Sequence, residues 1–173
     1  MASYYYLMAS LPMLRTEGEP PMDYGAFLKM CRGNVSDDVY AALETLSVES
    51  KEGPLLRDWA DFYGTLQEEL YYQRSIKLGR SCKLPASRDA GVTAAVTAAV
   101  SHPNPLAAEQ ILLRLEFERL DELVGYHNFD ERSLYGYAMK LQLLERQRIF
   151  RREAGKEEFM HLLDGLRQQV FSM

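Results

Sequence analysis

Two apolar stripes separated by a short turn constrain the fold of this chain more than any other feature. The first lies in "HPNPLAAEQILLRLEFERLDELVGY". There Leu106, Leu113, Phe117, Leu120 and Val124 recur at the three- and four-residue steps, or their sum, that mark one helical face. Asn104 is placed to cap this helix, Pro105 suits its first position and Gly125 its end. The second lies in "FDERSLYGYAMKLQLLERQRIF". Asp130 can cap it, and Leu134, Tyr137, Ala138, Leu141 and Leu144 form its seam. Leu143, Ile149 and Phe150 broaden that seam. A turn this short between two long helices dictates an antiparallel hairpin, over about 104–152.

The rest of the chain extends the helical pattern. Tyr4, Leu7, Met8 and Leu11 fall at helical spacing and predict a short helix ending before Pro12. Asp23 can cap a helix reaching about Cys31, and Ser36 a helix from Asp37 to about Leu46. A long helix is expected from Pro54 in its first turn to about Leu78, with Gly79 as its stop. Its stripe is Leu56, Trp59, Tyr63, Leu66 and Leu70, widened by Phe62. The region 79–101 is expected to be a mobile loop, in which "VTAAVTAAVS" is either an Ala-rich helix or weakly ordered. A last helix is expected to about Phe171, with Phe159, Leu162, Leu163, Leu166 and Val170 inward. The expectation is one all-α domain over residues 1–173, a globular multi-helix bundle with stripes wider than a coiled-coil seam.

Chemistry is sparse. His102, His127 and His161 have no ligand-spaced neighbours, so neither a metal nor a cofactor is expected. His127 is expected to bond a carbonyl in the hairpin turn. No glycine-rich phosphate loop and no nucleophile elbow is present. Cys31 and Cys82 are read as inert, reduced thiols. Glu109, Glu116, Glu118, Asp121 and Glu122 share one helix but lack the Glu-x-x-His pattern of di-iron bundles. They read as a solvated face, with Arg114 and Arg119 interleaved in weak ion pairs. The expectation is that the chain is not an enzyme, catalytic residues being absent.

A net charge of −5 argues against binding nucleic acid, or an anionic membrane, by charge alone. No signal peptide and no membrane-spanning run is read, so no direct membrane insertion is expected. Lys140, Arg146, Arg148, Arg151, Arg152 and Lys156 cluster late in the second hairpin arm. The helix dipole accounts for cations there; the alternative is a docking patch for an acidic protein surface. Eleven tyrosines, among them Tyr4, Tyr5 and Tyr6, exceed what a core absorbs and favour a binding role. The candidate protein-interaction residues are Tyr4, Tyr5, Tyr6, Lys140, Arg146, Arg148, Arg151 and Arg152.

"YYYLMASLPML", "NPLAAEQILLRLEFERLDEL" and "FDERSLYGYAMKLQLLERQ" resemble an uncharacterised family encoded in bacterial V-type ATPase operons. The matching positions are Pro105, Leu106, Ala108 and Glu109, then Asp121 to Leu123, Phe129 and Asp130, and Tyr137 to Arg146. The family's usual tryptophan near Phe117 is phenylalanine here. More distantly the hairpin resembles part of the all-helical stalk subunit called C or d. The chain is far shorter than that subunit, so it would be a reduced counterpart. The resemblance implies a non-catalytic subunit or accessory protein of a rotary ATPase or ATP synthase, linking the central shaft to the proteolipid ring. Its location would be cytoplasmic, peripheral to the inner membrane through that complex. The alternative it leaves open is an assembly or regulatory factor not present in the mature complex.

Overall fold

The computed structural model describes residues 4–148. They form seven helices: α1 (Tyr5–Ser10), α2 (Tyr24–Cys31), α3 (Asp37–Thr45), α4 (Leu56–Lys77), α5 (Ala90–Ser101), α6 (Pro105–Val124) and α7 (Glu131–Arg148). No strand occurs among the described residues. The fold is an all-helical bundle. Local signals set most boundaries. Asp23 accepts from the Ala26 N–H, Ser36 from Val39, Asp89 from Gly91 and Val92, and Asn104 from Leu106. Asp130 and Ser133 exchange hydrogen bonds at the start of α7, each side chain accepting from the other's N–H.

The predicted hairpin is α6 and α7. Lys140 pairs with Asp121 and Arg146 with Glu116, so positions advance along α7 as they retreat along α6. α7 is the central helix. Nine of its residues are buried, among them Leu134, Ala138, Leu141 and Leu144. Its polar side chains bind the ends of the short helices. Glu145 accepts from the Tyr24 N–H at 2.7 Å, at the positive end of α2. Gln142 donates to the Leu46 carbonyl beyond α3, and the Tyr137 hydroxyl to Pro12 beyond α1.

Two apolar clusters result. The larger joins α1, α2, α3, the first half of α4, the second half of α6, and α7, with Trp59 and Phe27 fully buried. The Trp59 indole N–H donates to the Val48 carbonyl at 2.8 Å, which removes its one polar cost. The smaller cluster joins Leu66 and Leu70 of α4, Val92, Val96 and Ala99 of α5, and Leu112 of α6. α5 runs parallel to α4. Arg88, just before it, reaches Glu69, and Val100 at its far end accepts from Lys77. The connection 78–89 must therefore fold back along α4.

Several expectations need correction. The loop expected over 79–101 ends at residue 89: of the two readings of "VTAAVTAAVS" the Ala-rich helix is the one found, and its small residues let α5 lie against α4 and α6. Pro54 is not in the first helical turn. Leu55 follows it with a left-handed backbone (φ 59°), and the helix starts at Leu56. That conformation costs about 1–3 kcal/mol in a non-glycine residue. Burying the Leu55 side chain recovers a comparable amount, about 1.5–3 kcal/mol. Leu106 belongs to no core; it sits in the first turn of α6 and is 48% exposed. Tyr63 and Val124 are half-buried. Ile149, Phe150 and the expected last helix lie outside the described residues.

Candidate interaction surfaces

The predicted interaction residues separate into different environments. Tyr4 is buried at 4% exposure, because its N–H donates to the Phe129 carbonyl and draws it onto the hairpin turn. It is a core residue and is corrected as a surface contact. Tyr5 and Tyr6 are exposed. The Tyr5 ring lies 4.7 Å from that of Phe129 and 5.6 Å from that of Tyr6, so an aromatic cluster marks the turn end of the hairpin.

The basic residues of α7 are divided as well. Lys140 is held by Asp121 and lies 5.3 Å over the Phe117 ring, with only 16% of its side chain exposed. Arg146 is engaged by Glu116 at 2.7 Å. Both are bound within the hairpin and are corrected as free docking cations. Arg148 is exposed at the end of α7. Arg151 and Arg152 lie outside the described residues. Phe129 and Arg148 stand at opposite ends of α7, about 27 Å apart by helical rise. The structure does not bring Tyr5 and Tyr6 into one surface with Arg148.

Glu116 is not part of a solvated face. Only 2% of its side chain is exposed, and burial pushes its carboxyl above the ordinary value, with Arg146 opposing that shift. Glu69 on α4 is likewise buried. Arg88 clasps it with two hydrogen bonds, at 3.0 and 2.9 Å, and Gln73 adds a third. The Arg88 bond holds the Glu69 carboxyl below its ordinary range. Sequence spacing does not distinguish these two acids from their solvated neighbours. Arg114 pairs with Glu17, and Arg119 with Glu122, as surface ion pairs. His127 bonds the Asp130 carboxylate through Nδ1, not a carbonyl, because the turn brings the two three residues apart. Burial raises the Cys31 thiol to about 12.

A concavity of about 740 Å³ lies between α4, the start of α5 and α6. Asp58, Asp61, Arg88, Glu118, Arg119 and Glu122 line it. Charges of both signs face one another there, and no histidine or cysteine joins them. Among the described residues no group of three or more His, Cys, Asp or Glu side chains is arranged to hold a metal.

A second basic stretch escaped sequence reasoning. Between Leu70 and Arg88 the chain carries Arg74, Lys77, Arg80, Lys83 and Arg88 and no carboxylate. The signal for it was the missing acids, masked by the acidic total. Among the described residues, no helix is long and apolar enough to cross a membrane. No protein-family model matches the chain, and no similar curated protein or solved structure is found.

Proposed function

We propose that this chain is a non-catalytic helical subunit or accessory protein of a bacterial V-type rotary ATPase, working as a rigid interaction body. The observation that carries the reading is where the residues of the operon-family resemblance fall. They build the α6–α7 hairpin. Asp121 pairs with Lys140, Asp130 caps α7, and Leu141 and Leu144 are buried in its seam. A run of that kind preserves a stiff two-helix lever, which suits a part that transmits torque or holds subunits in register. The exposed Tyr5, Tyr6 and Phe129 at the turn supply aromatic contact area to such a body. A reduced counterpart of the stalk subunit between shaft and proteolipid ring is the specific role proposed.

The test is a pull-down of the tagged full chain from gently solubilised native membranes, with quantitative mass spectrometry. Near-stoichiometric shaft and ring subunits are the expected result. Trace recovery would instead assign an assembly or regulatory factor. Recovery of no ATPase subunit overturns the reading.

A further inference from the structure

The C-terminal turns of α4, from Tyr71, and the connection that follows form a basic surface with no carboxylate of its own. Five of the chain's 20 cations lie between Leu70 and Arg88, and none of its 25 acids. α4 ends in a Schellman turn. Gly79 takes a left-handed backbone (φ 68°), its N–H bonds the Ile76 carbonyl, and the Arg80 N–H bonds Ser75. The chain then doubles back over α4. The Cys82 Sγ lies 3.8 Å from the Tyr72 carbonyl, and the Arg88 guanidinium lies 5.6 Å over the Tyr72 ring. The loop cations are thereby drawn alongside the last three turns of the helix.

Apolar side chains accompany them in the open. Tyr71 is 70% exposed, Ile76 50%, Leu78 66% and Leu84 53%. Tyr71, Arg74 and Leu78 stand at i, i+3 and i+7, on one helical face. Arg88 is engaged by Glu69, and Lys77 donates to the Val100 carbonyl. Arg74, Arg80 and Lys83 make no ion pair among the described residues. The nearby carboxylates are Glu68 one turn back on α4, Asp89 at the end of the return loop, where it caps α5, and Glu109, which shares a shallow groove with Arg74, Lys77 and His102.

The helix dipole explains cations in the last turn of α4, but its influence fades beyond that turn. It accounts neither for Arg80 and Lys83 nor for exposed aliphatics. A nucleic-acid surface would use the cations and leave Ile76, Leu78 and Leu84 idle. Protein interfaces favour aromatics and arginine and disfavour lysine. Aliphatic side chains interleaved with lysine and arginine match the interfacial zone of an anionic bilayer, where chains enter the headgroup boundary and cations meet phosphates.

We propose that this end of the molecule, from Tyr71 through the 79–88 return loop, is a docking surface for an anionic phospholipid bilayer. The binding is peripheral and oriented. The remainder of the described residues is acidic on balance and is repelled by the same surface, so this end leads the approach. The inference does not depend on the rotary-ATPase reading, and its test contains no ATPase subunit.

The experiment is flotation of the purified full chain with vesicles of phosphatidylcholine alone or mixed with phosphatidylglycerol. Binding is expected to the mixed vesicles only, and is lost on going from about 50 mM to about 500 mM salt. Arg74→Gln with Arg80→Gln and Lys83→Gln should lower partitioning by about a hundredfold. Leu78→Ser with Leu84→Ser should lower it by about tenfold, without changing net charge. Lys51→Gln with Arg57→Gln and Arg32→Gln, away from the patch, removes equal charge and should stay within about twofold of the parent. Equal binding to both vesicle types, no binding to either, or equal loss in the two charge triples would overturn the proposal. Capture on immobilised polyglutamate without vesicle binding would also overturn it, and assign the patch to an acidic protein surface.

Discussion

The Glu116 carboxylate meets the Arg146 guanidinium at 2.7 Å inside the α6–α7 hairpin, with 2% of the one side chain and 33% of the other exposed. The pair lies across two arms whose apolar seams would associate without it. Its partners are unequal. Removing Arg146 strands a desolvated carboxylate, whereas removing both charges leaves an apolar contact.

Arg146→Met should therefore destabilise the fold by about 2–4 kcal/mol, and Glu116→Leu with Arg146→Met should recover most of that loss. Urea unfolding of the parent, both single variants and the pair measures the coupling. If Arg146→Met left the unfolding midpoint unchanged, the guanidinium would be free for a partner instead.

Gly136 faces Val124 across the same hairpin. A Cβ at position 136 would lie 2.3 Å from the Val124 Cγ2, so the arms touch through the missing side chain. In an exposed helix Gly→Ala stabilises by about 1 kcal/mol. Here Gly136→Ala should instead cost about 1–3 kcal/mol by overpacking. Adding Val124→Ala should restore part of it. Thermal unfolding of the three proteins gives the sign, and a raised midpoint for Gly136→Ala alone would contradict the close approach.

The hairpin and its caps were legible because their causes are local. Asn104, Pro105, Gly125 and Asp130 each act within four residues of where they stand. The buried acids were not. Glu116 finds Arg146 thirty residues away, and Glu69 finds Arg88 nineteen away. Helical spacing places Glu116 no nearer the apolar stripe than Asp121, whose carboxylate is exposed. Gly136 carried no distinguishing signal either: Gly64 also sits inside a strong helical pattern, yet a Cβ there would meet nothing within 4 Å. The basic tip read from Lys140 to Arg152 mixed cations already paired within the hairpin with others beyond the described residues. The Arg74 to Arg88 stretch is hidden in the acidic total, and Arg80 and Lys83 sit in a segment expected to be a mobile loop.

Glu69 and Glu116 should respond to acid in opposite senses. Arg88 and Gln73 lower the Glu69 carboxyl below its ordinary value of 4.5. Its ionised form is thus favoured by folding, and the stabilisation is complete above that value. It is lost as pH falls through the lower folded value. Burial raises Glu116, so its ionised form carries a penalty at neutral pH that protonation relieves as pH falls through its raised value. Glu69→Gln should lower stability at pH 7, with a gap from the parent that closes in acid. In Glu116→Gln the slope contributed by this site should vanish, steepening the remaining acid loss relative to the parent. Denaturant midpoints from neutral pH to below 4.5 decide both signs.

Cys31 and Cys82 should differ sharply toward a thiol reagent. Cys31 is fully buried in the larger cluster, and the same burial raises its thiol to about 12. Thiolate, the reacting species, is then scarce at mild alkaline pH, and reagent cannot reach the sulfur unless the cluster opens. Cys82 is only partly covered, on the return loop. A disulfide reagent at mildly alkaline pH should label one thiol per native chain quickly and the second only at the rate of unfolding. Cys82→Ser should abolish the fast phase. Cys31→Ser should retain it while costing about 1–3 kcal/mol, because a hydroxyl replaces a buried sulfur among apolar neighbours. Two fast phases in the parent would mean that the contacts among Phe27, Cys31 and Tyr137 open far more readily than a packed core allows.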